Sequence, residues 1–110
     1  MKKIYSLLLS VIFSIGALAQ WSSDPAENLK ITNLVGDQAI PKIAVCDNGD
    51  YYVGFFSSEN GNYNVRLHKL DSHGNMLWPL NGILISSHPS MTWLTDWDMT
   101  CDNENHAILT

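Results

Sequence analysis

The sequence predicts an all-β fold, laid out as an antiparallel meander, and three observations predict it. No segment shows a helical apolar period. Short runs rich in Val, Ile, Tyr and Phe recur between Gly, Asn and Asp clusters. One of those runs, Tyr51-Tyr52-Val53-Gly54-Phe55-Phe56, is apolar on both faces. A strand with one side in water alternates instead, so this one needs a cover on each side.

The first residues read as an export signal rather than as structure. Lys2 and Lys3 precede an apolar run from Ile4 to Leu18, and Ala17-Leu18-Ala19 supplies the small residues a signal peptidase reads. Cleavage is expected between Ala19 and Gln20. The run is shorter than the ~20 residues of a membrane-spanning helix, so no stable membrane insertion is expected after cleavage. The expected division is a signal peptide over 1–19, an extended lead-in over 20–28 and a strand-rich region over 29–110.

Within that region the elements follow in order. Leu29-Lys30-Ile31-Thr32 alternates and reads as a first short strand. Lys42 to Cys46 is a second run, closed by Asp47-Asn48-Gly49-Asp50, where Asn-Gly suits a tight turn. Tyr51 to Phe56 is the third. Tyr63 to Leu70 is the fourth, with Tyr63, Val65 and Leu67 on one face and Asn64, Arg66 and His68 on the other. Asp71 to Asn75 turns into Met76-Leu77-Trp78, with Trp78 expected at an outer strand. Asn81-Gly82 turns into Ile83-Leu84-Ile85. Trp97 to Cys101 and His106 to Leu109 then form a new hairpin.

The chain repeats itself. Cys46-Asp47-Asn48 returns as Cys101-Asp102-Asn103, 55 residues on. Asn28 to Thr32 resembles Gly82 to Ser86 at an offset of about 54. Periods of this size point to propellers or solenoids. The expected layout is one four-stranded blade over about 41–86, the next starting near 96, and Leu29 to Thr32 closing a ring as the outer strand of a last blade. Further blades of the same chain are expected beyond Thr110. Equivalent positions in successive sheets would hold Cys46 and Cys101 apart, since packed sheets lie ~10 Å apart and disulfide Cα atoms within about 7 Å. Two buried free thiols are therefore expected.

Leu70-Asp71-Ser72-His73-Gly74-Asn75-Met76-Leu77-Trp78, followed by Asn81-Gly82-Ile83-Leu84-Ile85-Ser86, resembles the blade repeat of large secreted bacterial β-propeller proteins. Many of these are type IX secretion cargo. The resemblance implies a partial β-propeller in a secreted or cell-surface chain, acting as a binding or scaffold module. The ligand so implied is a glycan or a protein. Two alternatives are an extracellular propeller glycosidase or lyase with its acids beyond residue 110, and a small complete secreted β-domain.

Charge narrows the partners. The formal net charge is −5, and loss of Lys2 and Lys3 leaves Lys30, Lys42, Arg66 and Lys69 against 11 acidic residues. Nucleic acid is excluded as a partner, because phosphate binding draws on clustered Lys and Arg. The sequence carries no Gly-x-Ser-x-Gly, His-Glu-x-x-His, Cys-x-x-Cys or phosphate-binding Gly-Lys loop, and it proposes no catalytic residue, metal site or cofactor. His68, His73, His88 and His106 lie at no metal-ligand spacing and read as solvated or turn residues. Asp47, Asp50 and Asp102 read as turn residues rather than calcium ligands. The ligand surface is expected at His88, Trp93 and Asp96 in the loop between blades, with Glu59 and Asn60 from the preceding loop. Trp93 and Trp97 offer flat rings on which a sugar could stack.

Overall fold

The computed structural model describes Asp24, residues 26–88 and residues 94–110. The expected signal peptide, its Ala19–Gln20 cleavage site and the start of the lead-in lie outside these residues. Six strands follow in order: β1 (Gln38–Val45), β2 (Tyr51–Ser57), β3 (Asn64–Leu70), β4 (Ile83–Ser86), β5 (Met99–Cys101) and β6 (Ala107–Leu109). The first four form one antiparallel sheet in sequence order, and β5 and β6 form a second. The fold is all-β, with no helix among the described residues.

Register sorts the side chains of the large sheet onto two faces. Ala44 pairs with Tyr52, Gly54 with Leu67, and Phe56 with Val65. These residues form face A. Ile43, Val45, Tyr51, Val53, Phe55, Arg66, His68 and Leu70 share face B, because neighbours along a strand point to opposite sides. Face A is the core. Ala44, Cys46, Tyr52, Phe56, Val65 and Leu67 are buried there with Trp97 and Met99 of the second sheet.

Gly54 is what lets the second sheet come so close. A Cβ at that position would lie 2.5 Å from Cη2 of Trp97 and 3.4 Å from Sδ of Met99. The indole therefore rests on bare backbone and stacks on Phe56, with ring centres 5.7 Å apart and planes at 28°. The absent side chain is the room that Trp97 occupies.

One turn design closes three hairpins. Asp50 O accepts from Cys46 N, Asn75 O from Asp71 N, and His106 O from Asp102 N. In each, the amide of the fourth residue bonds back to the first carbonyl, and that fourth residue, Gly49, Gly74 or Asn105, has a positive φ. Asp71 Oδ1 accepts from the amides of His73 and Asn75, and Asp102 Oδ1 from those of Glu104 and His106. Cys46 stands where the other two turns carry Asp.

That alignment of turns shifts the correspondence between the two hairpins. Cys46 corresponds to Asp102, an offset of 56, one more than the Cys-to-Cys spacing. All three β5–β6 pairs then repeat β1–β2 pairs: Met99↔Leu109 answers Ile43↔Val53, Thr100↔Ile108 answers Ala44↔Tyr52, and Cys101↔Ala107 answers Val45↔Tyr51. A one-residue slip exchanges the faces of a strand. Met99 and Cys101, which lie against face A, thus occupy the places of Ile43 and Val45 on face B. The two sheets stack head to tail.

The same slip overturns the expected free thiols. Cys46 and Cys101 are not equivalent, their side chains converge from facing surfaces, and they form a disulfide with Cα atoms 5.3 Å apart. Closing a loop of that length stabilises a chain by about 4 kcal/mol in the loop-entropy account. Hydrogen bonds from Asn48 N to Asn105 Oδ1 and from Tyr52 Oη to Asn105 O join the two turns beside it.

Other expectations also shift. Leu29–Thr32 is extended but belongs to no strand. It is tied to the turn before β4, where Ile31 O accepts from Asn81 N and Asn81 Oδ1 accepts from Thr32 Oγ1 and Asn33 N. Leu29 and Ile31 border a hollow on face B with Ile43, Tyr51, Val53 and Leu70. Met76 makes a single bridge to Leu70 instead of opening a strand. Trp78 packs on Tyr52 of β2, with centroids 5.9 Å apart, rather than at an outer strand. β1 begins at Gln38, earlier than expected, and its register shifts between Ala39 and Lys42, where Ile40 takes a φ of 49°. His68 is fully buried rather than solvated, with Nδ1 against the Lys69 carbonyl.

Two measurements follow from these contacts. Gly54→Ala is expected to lower stability by about 1–3 kcal/mol, the usual cost of overpacking, read as a fall in the urea midpoint. An unchanged midpoint would show that the indole does not rest there. The Asp71 carboxyl is held below its ordinary value of 3.8 by the Asn75 side chain and amide, and the Asp102 carboxyl by the His106 amide. A depressed folded-state value means stability is fully present above the unfolded value and is lost as pH falls below it. The double variant Asp71→Asn, Asp102→Asn should lose less stability than the wild type on acidification from neutral pH through that range. Parallel acid melts for the two proteins would contradict the assignment.

Candidate functional site

The antiparallel meander sends its connections to two ends. The three Asx-rich turns lie at one end. The β2–β3 loop and the segment joining β4 to β5 lie at the other, since Ser57 pairs with Asn64 and Val65 with Ser86. Of the residues expected to bind ligand, Glu59, Asn60, His88 and Asp96 belong to these loops at the second end.

Glu59 and Asn60 hold their own loop in place. Glu59 Oε1 accepts from Arg66 Nε at 3.0 Å and lies 2.9 Å from Nη2, with both side chains mostly buried. Arg66 also donates from Nη1 to the Asn81 carbonyl. Burial pushes the Glu59 carboxyl up, but the nearby Ser57 hydroxyl, its own amide and the Arg66 guanidinium outweigh that and leave it below its ordinary value. A clamped carboxylate with an internal cation is a poor ligand group. Asn60 Oδ1 accepts from Asn62 N and Asn64 Nδ2, which closes the loop on itself. Both side chains are thus engaged within their own loop.

Asp96 lies elsewhere. It borders a hollow of about 240 Å³ between the end of face A and the second sheet, lined also by Phe56, Val65, Ile85, Trp97 and Leu109. Ser86, Thr95 and Thr110 complete the lining. Trp97 is 7% exposed and its Nε1 has no acceptor. A buried indole N–H ordinarily finds one. The hollow is thus mainly apolar, with Asp96 as the acidic residue of its lining.

His88 is exposed on the segment leaving β4 and is not part of that lining. Trp93 lies outside the described residues. Of the expected ligand residues, the structure places only Asp96 at the hollow. Sequence reasoning named Trp97 as a candidate ring but missed Phe56, Val65, Ile85 and Leu109. These belong to the cores of four strands, and only the stacking of two sheets brings them to one rim.

Among the described residues that line the hollow, Asp96 is the one acidic side chain. Among the described residues no group of three His, Cys, Asp or Glu converges to hold a metal. Asp50, considered for calcium, pairs with Lys69 at 3.5 Å, and Asp102 serves its turn.

No family model, no curated protein and no solved structure matches this chain.

Proposed function

We propose that this chain is part of an exported β-propeller-type repeat protein, and that it serves as a binding module for a glycan. The observation that carries the architecture is the head-to-tail stacking of sheets 56 residues apart. Head-to-tail contacts leave one unmatched surface at each end and so build rings or open stacks. A ring of such sheets is a propeller. The disulfide supports export, since such bonds persist in oxidising compartments. No described helix is long and apolar enough to cross a membrane.

The ligand reading rests on the hollow at the loop end. A sugar has an apolar face for the Ile85 and Leu109 side chains that line the hollow. It also has hydroxyls that can donate to the Asp96 carboxylate. A protein ligand would draw on a broad surface rather than a recess of this size. The alternative reading as a glycosidase needs a second carboxyl across the substrate, and Glu59 of the β2–β3 loop is occupied by Arg66.

Saturation-transfer NMR with a panel of neutral hexoses and their disaccharides tests the ligand class. At least one member should show transfer, with weak affinity in the millimolar range. Asp96→Ala should abolish that signal while leaving the circular dichroism unchanged. A panel without transfer, or transfer unaffected by Asp96→Ala, would overturn the glycan reading.

A further inference from the structure

The β1 side of face B is apolar and only partly covered. Ile43 is 66% exposed and Val45 61% exposed, both in β1. Leu29 and Ile31 lie beside them across a hollow of about 340 Å³ that Tyr51, Val53 and Leu70 complete. Exposed apolar area of this kind marks an interaction surface. The chain itself indicates what fits it. Ile43 and Val45 correspond to Met99 and Cys101, which the molecule buries against face A.

The matching surface is also present, at the other end. The outer side of the β5–β6 hairpin presents Thr100 and Ile108 in the places where face A presents Ala44 and Tyr52. Ile108 is 44% exposed. One chain therefore carries both halves of a single interface, one half at each end. Its internal copy, Met99 and Cys101 against Ala44, Cys46 and Tyr52, is already formed.

We propose that face B binds the outer side of the β5–β6 hairpin of a second copy of this chain, head to tail. This rests on the stacking described under the proposed function and extends it from one chain to an assembly. Each docked copy presents a fresh face B or a fresh hairpin, so association proceeds past the dimer to a closed ring or an open filament.

Sedimentation velocity on the full chain, produced by export so that the disulfide forms, tests this from low to high micromolar concentration. The wild type should grow past the dimer as concentration rises. Val45→Asp, which spoils face B, and Ile108→Asp, which spoils the hairpin, should each remain monomeric, because each lacks one half. Mixed in equal amounts, the two should give a heterodimer and nothing larger. A wild type that stays monomeric overturns the proposal, as does an Ile108→Asp variant that still dimerises through two copies of face B. A mixture that stays monomeric does the same. Mass spectrometry of an unreduced digest separates the two levels of the argument. With Cys46 and Cys101 linked, a monomeric wild type refutes the docking alone; with both cysteines free, it refutes the internal stacking as well.

Discussion

The Trp97 indole lying on the bare backbone of Gly54 is the contact on which the rest of the molecule turns. It sets how closely β5 approaches face A, and hence which residues of the two sheets can share a core. With that spacing, Cys46 and Cys101 come within reach of each other, Phe56 stacks on the indole, and Met99 fills the gap beside it. A side chain at position 54 would hold the second sheet off. Burial of apolar surface is the main favourable force available, and two short strands would expose theirs without the larger sheet beneath.

The two ends of the sheet divide their work. At one, three turns of the same design fix strand spacing through Asx hydrogen bonds, and Asn105 links two of them across the sheets. At the other, longer connections leave room between the sheets, and the hollow with Asp96 and Trp97 lies there. A rigid end and a roomier end follow from the same meander, and function is read from the roomier one.

Much of the fold was legible. Tyr51 to Phe56 has apolar residues on both faces, and the structure gives it Trp97 and Met99 on face A. Alternation in β3 also placed Val65 and Leu67 opposite Arg66 and His68 correctly. The shared Cys-Asp-Asn triplet, the most visible match in the sequence, aligns Cys46 with Cys101, whereas the turns align Cys46 with Asp102. In the fold, Cys46 opens a turn while Cys101 ends a strand, so identical letters hold different posts. That single residue exchanged the faces and turned a disulfide into two expected thiols. His68 looked solvated because its neighbours in β3 are polar, and a sequence does not show what lies over a face. The hollow was legible only at Asp96 and Trp97, since its floor comes from residues that read as ordinary core.

The central claim is the offset of 56, with Met99 and Cys101 facing the large sheet and Thr100 facing away. Nuclear Overhauser contacts from the Gly54 α-protons test it most directly. The account predicts contacts to the Trp97 ring and the Met99 side chain, and none to Thr100. Contacts from Gly54 to the side chains of Asp98 and Thr100 instead would place the opposite side of β5 against face A. The head-to-tail stacking would then be wrong.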